Sequence, residues 1–275
     1  MSWLLEATDG LLHSLVHRPY TFLLFGLYAL IATWHLGLYR SAAMTLAGYG
    51  IAWLSEVSSI NNGFPYGWYS YLDAALEGDL RVAGVPFFDS LSYSFLVYFS
   101  WTTASLLLHG VHRSGRFDYS LAETPGARRS LGTLLLAACL TTWLDVLLDP
   151  VTLLGEHWFL GQIYEYPEVG AYFGVPLSNF GGWLLTSMAI ALAYAGIDRL
   201  GDRRPARGAR RVPAQGLLGL AGYLSVTLFA LGIAVALGES RLALVGMLLH
   251  LPVWIWVGLR IRRPLTPPPP DPDRP

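Results

Sequence analysis

Apolar positions gather into seven stretches, at about 20–39, 41–57, 89–109, 130–149, 178–198, 215–237 and 242–259, with Gly, Pro, Arg and acidic residues between them. A helix needs about 20 apolar residues to cross the hydrocarbon of a bilayer. Each stretch is therefore read as a transmembrane helix, the second and seventh being the shortest. The fold class expected is all-α: a polytopic membrane helix bundle of about seven spans. Residues 1–20 lack a basic n-region and a small-residue cleavage site, so they do not read as a removable signal peptide. Their Trp3, Leu4, Leu11, Leu12, Leu15 and Val16 suit a short helix lying in the membrane interface. At the other end "PLTPPPPDPDRP" cannot continue a helix and offers little apolar surface. The expected organisation is a single integral membrane domain over 1–263 and a disordered Pro-rich tail over 264–275.

Composition agrees with a lipid solvent: 53% of residues are hydrophobic and 13% charged, against about 25% charged in soluble domains. All 18 basic residues are arginine, and they fall unevenly. Arg40, then Arg113, Arg116, Arg128 and Arg129, then Arg199, Arg203, Arg204, Arg207, Arg210 and Arg211, then Arg260, Arg262 and Arg263 occupy alternate connections, whereas the other side holds Arg18, Arg81 and Arg241. The positive-inside rule puts the arginine-rich connections in the cytoplasm. This predicts a multi-pass protein of the cytoplasmic (inner) membrane, amino terminus outside and carboxyl terminus cytoplasmic. The topogenic reading outweighs a nucleic-acid surface, so no nucleic-acid partner is expected.

The absence of lysine excludes a retinal Schiff base on the last helix. Cys139 stands alone, so no intrachain disulfide is possible. His13 with His17, and His109 with His112, are pairs without the further histidine boxes that a membrane di-iron site needs, and His35, His157 and His250 are isolated. No metal is expected. No Ser-His-Asp set, phosphate-cradling loop or dinucleotide fingerprint is present in a plausible context.

Two segments echo one another. Residues 56–95 and 145–183 each run from an acid at a helix end, through a Tyr-x-Tyr pair (Tyr69 and Tyr71; Tyr164 and Tyr166), to Gly-Val-Pro (84–86; 174–176) and a new span. Both lie on the expected outer side, two crossings apart. This is the mark of a parallel duplication, with halves of about 41–109 and 130–198, and such duplications place sites at the interface of the repeats. The Gly-Val-Pro elements have a plain structural use at a helix start. The long connections are expected to fold back as re-entrant or lid-like outer loops.

Glu56, Asp89, Asp145 and Asp149 fall inside or at the outer ends of spans. An acid at the bilayer centre costs about 2.5–3.5 kcal/mol on insertion scales, so such residues are functional by default and face the bundle interior. Asp145 and Asp149 are four apart and share a helix face. Two carboxyls so close in a poor dielectric resist double ionisation, and one of them is expected to hold a proton. Asp149 before Pro150 also reads as a helix-end residue, and Asp89 before "SLSY" as an N-cap. Matching places in the two repeats favour chemistry for Asp149 and Glu56.

Together the blocks "E…GFPYGWYSY…GVPFFDSL" and "LDPVTLLGEHWF…YFGVPLSNFGGW" resemble the bacterial and archaeal membrane carotenoid hydratases of the CruF type, the bisanhydrobacterioruberin hydratase family. The likeness spans about residues 50–190. In the first block it rests on Glu56, Gly63, Pro65, Gly67, Tyr69, Tyr71, Gly84, Val85 and Pro86; in the second, the more specific, on Asp149, Pro150, Tyr172, Gly174, Val175, Pro176, Asn179, Phe180 and Trp183. After Pro86 the family tends to run apolar into Leu-Ala-Trp, whereas this chain has "FFDSLSYS".

The resemblance implies addition of water across the terminal C1–C2 double bond of an acyclic carotenoid end group, giving a tertiary alcohol. The partners implied are the acyclic carotenoid, water and membrane lipid, with other carotenoid biosynthesis enzymes as candidates. Protonating a trisubstituted alkene makes a tertiary carbocation, which calls for a carboxylic acid in a dry pocket, π-rich walls and one positioned water. On this reading Asp149 protonates the alkene, Glu56 or Asp145 handles the water, and Tyr69, Tyr71, Tyr164, Tyr166, Asn179, Trp183 and Asp89 line the pocket, with no cofactor. A carotenoid cyclase, in which an internal double bond captures the cation, and a non-catalytic carotenoid- or lipid-binding membrane protein are the alternatives. Aromatic belts at the membrane surfaces account for many of the other tryptophans and tyrosines.

Overall fold

The computed structural model describes residues 2–157, 161–202, 206–210 and 212–265. The described residues form the helices α1 (Ser2–His17), α2 (Pro19–Leu36), α3 (Leu38–Asn62), α4 (Phe87–His109), α5 (Pro125–Arg128), α6 (Leu131–Leu153), α7 (Leu177–Gly201), α8 (Gln215–Ala236) and α9 (Ser240–Arg262). Between them lie the short strands β1 (Ser70–Tyr71), β2 (Arg81–Val82), β3 (Val85–Pro86), β4 (Val111–Arg113), β5 (Tyr119–Leu121) and β6 (Tyr164–Glu165). The protein is a multi-pass, all-α membrane bundle. Among the described residues α2, α4, α6, α7, α8 and α9 are long and apolar enough to cross a bilayer. The second of the seven expected spans is not among these six: it lies inside α3, whose last residues include the polar Ser55, Glu56, Ser58, Ser59, Asn61 and Asn62.

Local chemistry sets the helix ends. Gly37, at a φ of 88°, separates α2 from α3 in a backbone conformation that disfavours other residues. Pro19 opens α2, and the Ser130 hydroxyl accepts the Thr133 N–H at the start of α6. α1 leaves Trp3, Leu5, Leu12 and Val16 uncovered by protein. It is tied to the loop between α3 and α4, where the Asp79 carboxylate accepts from Ser14 Oγ at 2.9 Å and Arg18 Nη2 at 3.0 Å. On the opposite side of the bundle β4 and β5 pair as a hairpin, and the Leu265 N–H donates to the Val111 carbonyl at 2.8 Å. The remainder of the expected tail, 266–275, lies outside the described residues, as do Trp158 and Phe159 of the second family block.

α4 is the hub. It is buried along almost its whole length and packs against α2, α3, α6 and α8. Around it α3 packs on α7, and α4 packs on α6. The two long loops, 63–86 and 154–176, meet in an antiparallel ladder, β1 on β6, with Ser70 opposite Glu165 and Tyr71 opposite Tyr164. The ladder thus sets the Tyr-x-Tyr segment of one loop against that of the other.

The first loop is also locked onto α7. The Tyr66 hydroxyl donates to Thr186 Oγ1 at 2.9 Å, and its N–H donates to Ser59 Oγ at 3.0 Å. Gly182 makes this docking possible, because a Cβ there would lie 2.4 Å from the Tyr66 ring and 2.7 Å from its Cα. Gly182→Ala is expected to cost about 1–3 kcal/mol through overpacking against backbone. A lowered thermal unfolding midpoint in detergent checks this; an unchanged midpoint would show that the loop has room to shift.

Candidate functional site

Period-two geometry puts Tyr69 and Tyr71 on one face of the first loop and Tyr164 and Tyr166 on one face of the second. The ladder brings the two faces together. Ring centroids of Tyr69 and Tyr71 are 5.4 Å apart, Tyr69 and Tyr164 5.9 Å, and Tyr164 and Tyr166 5.7 Å, all edge-to-face. Burial pushes all four phenols above the usual tyrosine range, so they stay neutral, and Tyr71, Tyr164 and Tyr166 donate hydrogen bonds.

The carboxyls lie beneath this aromatic roof. α6 carries Asp145 and Asp149 one turn apart, both buried. Asp149 accepts from the hydroxyls of Tyr164 and Tyr166, the latter at 2.7 Å. Asn179, from the first turn of α7, donates to Asp149 at 2.5 Å and to Asp145 Oδ2 at 2.9 Å, bridging the pair. Asp145 Oδ1 is buried and has no hydrogen-bond partner among the described residues. Pro150, which lacks an N–H, sits inside α6 directly after Asp149.

In the first repeat Glu56 on α3 accepts from the Ser90 hydroxyl, and Asp89 accepts from Tyr71 Oη at 2.8 Å. Asp89 lies in the first turn of α4, whose N-cap is Pro86. Its carboxylate is spent on the roof, and the N-cap expected at this position is absent. Asp89 and Asn179 are equivalent, each three residues past the Pro of Gly-Val-Pro. So are Tyr93 and Trp183, which stack at 4.2 Å with an interplanar angle of 15°.

Two adjoining spaces meet at these groups. An apolar cavity of about 140 Å³ lies between α2, α4, α6 and α8; Leu24, Phe95, Leu96, Leu148, Val226 and Phe229 line it, and Asp89, Asp145 and Asp149 form its polar wall. A polar chamber of about 50 Å³ is enclosed by Glu56, Tyr66, Tyr69, Tyr71, Tyr93 and Asn179. Asp89, Asp149, Tyr164 and Trp183 border both spaces. A water needs about 10–15 Å³ of such volume and several polar partners, and the chamber meets both requirements. The arrangement suits proton transfer to an apolar molecule, with water held on the far side.

Every candidate residue from the sequence therefore converges here: Glu56, Asp89, Asp145, Asp149, Tyr69, Tyr71, Tyr164, Tyr166, Asn179 and Trp183. Sequence reasoning missed Tyr66, Tyr93 and Ser90. Aligning the repeats past Gly-Val-Pro would have found Tyr93 opposite Trp183. Among the described residues no group of His, Cys, Asp and Glu suited to hold a metal ion is present.

A family model described as carotenoid biosynthesis protein matches residues 18–252, which takes in every element around the site. Bisanhydrobacterioruberin hydratase of Haloarcula japonica is 32% identical over 215 residues, covering 74% of this chain and 64% of that protein. The chain thus spans less than two thirds of the length of the curated relative it matches. No solved structure matches it.

Proposed function

The chain belongs to the carotenoid biosynthesis protein family, and from that premise we propose that it is a carotenoid hydratase, adding water across the terminal C1–C2 double bond of an acyclic end group. The observation that carries this reading is the position of the acids, on the boundary between a dry cavity and a chamber of water size. The relative's name points to the same reaction class.

The Asp145–Asp149 pair is the acid. Asp149, held by two phenols and an amide, is furnished as the anion. The bare Oδ1 of Asp145 is the atom best placed to carry the shared proton, since a buried acceptor without a donor is costly unless it is itself protonated. The proton passes to C2 of the alkene and leaves a tertiary cation at C1, flanked by the Asp149 carboxylate and the Trp183 and Tyr164 rings. Water in the chamber, oriented by Glu56 and Asp89, forms the C1–O bond. It releases one proton, which returns to the acid pair, so the balance is one water added and no cofactor consumed. A cyclase shares the first step, but a chamber of water size next to the cation favours capture by water.

Expression in cells that accumulate an acyclic carotenoid tests the reading. The expected product is heavier by one water; an isomeric product would mean cyclisation, and unchanged co-purifying pigment would mean a binding protein. Asp89→Asn keeps the volume and removes a charge that faces both spaces. It is expected to lower turnover about tenfold to a hundredfold with binding retained, read as product formed per folded protein.

The orientation we propose has the amino terminus outside and the carboxyl terminus cytoplasmic, in an inner membrane. Arg40, Arg128, Arg129 and Arg260 gather at the end of the bundle remote from the acids, which supports it. The carotenoid and water are the partners, with surrounding lipid as the source of substrate.

A further inference from the structure

The duplication places two equivalent clefts in the fold, and only one of them reaches the acids. The cavity lies between α4 and α6. Its counterpart between α7 and α3 is an open groove of about 270 Å³ lined by Leu54, Ser55, Phe64, Leu185, Thr186 and Ala189. Three lining residues correspond: Leu148, Phe95 and Leu96 of the cavity match Ser55, Leu185 and Thr186 of the groove when Glu56 is laid on Asp149 and the Gly-Val-Pro elements on each other.

Tyr66 links the wall of the chamber to the wall of the groove. Tyr66 is 2% exposed, its ring forms part of the chamber wall, and its hydroxyl is fastened to Thr186 in the groove wall. It lies 6.5 Å from the Trp183 ring, beside the stacked Tyr93. Tyr66 stands three residues before Tyr69; three residues before Tyr164 the second loop has Gly161, which has no side chain.

Resting on the hydratase reading, we propose that Tyr66, backed by Trp183, is the end-stop for the polyene and so decides which double bond is hydrated. A linear chain entering the cavity can advance past the acids only as far as the Tyr66 wall. Its terminal isopropylidene carbons then fill the chamber mouth, and the first double bond stands beside Asp145 and Asp149. Without the plug the chain can slide toward the groove and present its next double bond to the same acids. Tyr66 is thus a positioning residue whose bulk sets the register.

The test compares wild type, Tyr66→Phe and Tyr66→Ala in cells that make an acyclic polyene, with the hydroxyl located by mass fragmentation and NMR. Tyr66→Phe keeps the ring and is expected to give the wild-type product alone. Tyr66→Ala is expected to lose about tenfold or more of the turnover at the first double bond, since small misplacements are that costly, and to yield product hydroxylated at the second. Tyr66→Ala making the single wild-type product at the wild-type rate would overturn the proposal.

A second measurement uses only wild-type protein, in case the alanine variant does not fold. A polyene bearing a terminal diazirine is expected to photolabel Tyr66 or Trp183; labels confined to α2 and α8 would overturn the end-stop. If the wild type forms no hydrated product the hydratase reading fails, whereas the photolabel still reports where the chain end rests.

Discussion

Asp149→Asn is expected to insert, fold and retain pigment while turning over a hundredfold to ten-thousandfold more slowly, the usual range for loss of a positioned acid–base group. The substitution preserves size, so the site keeps its shape, but it removes the anion that Tyr164, Tyr166 and Asn179 are arranged to hold. Without that charge the cation loses its nearest counter-ion, and the proton on Asp145 loses the partner that shares it. Asp145→Asn is expected to fall as far, because each half of the pair is useless alone. The measurement is hydrated carotenoid per unit of membrane-inserted protein, with co-purifying pigment as the control for binding. Full activity in Asp149→Asn would remove the acid pair from the mechanism.

The other large effect lies at the opposite end of the bundle and concerns stability. Asp198 on α7 is fully buried and is gripped by Arg128 at 2.7 and 2.8 Å, by Arg129, and by Arg40 at 3.4 Å. Those guanidiniums belong to the start of α3 and to the α5–α6 junction, so one carboxylate ties three parts of the chain together. Asp198→Ala leaves three arginines without their common partner. Breaking a buried ionic cluster in this way costs about 3–5 kcal/mol. Thermal unfolding in detergent is expected to show a large drop in midpoint, while the molecules that remain folded hydrate at the wild-type rate. An unchanged midpoint would mean that Asp202 and water take over the arginines.

Much of this molecule is legible in its residues, and the reasons are physical. Spans can be read because lipid imposes length and apolarity on any helix that crosses it. Asp145 and Asp149 stand out because charge is so costly there. The Tyr-x-Tyr and Gly-Val-Pro elements could be recognised because they recur in order. Their mutual pairing could not: a two-residue strand carries no periodicity, and the contact joins residues almost a hundred positions apart. The arginines were read as topogenic signals, and nothing in their spacing shows that Arg128 and Arg129 also close on Asp198. Tyr66 was hidden for a third reason. It lies among aromatic residues of one loop, and only its contrast with Gly161 across the repeat gives it meaning. Asp89 reads by local pattern as a helix cap and by the family resemblance as a pocket residue, and Tyr71, brought over it by tertiary packing, claims its carboxylate.

The ladder that joins β1 to β6 has a consequence for how this chain can be divided. Duplicated architecture suggests two autonomous modules, each able to stand alone. Here each repeat supplies half of one ceiling, and the seam between the halves is made of inter-repeat hydrogen bonds. A fragment ending between α4 and α6 would present an unzipped edge and an uncovered acid, with nothing of its own to shut over either. The smallest self-sufficient piece of the protein is therefore expected to hold both loops and the helices beneath them.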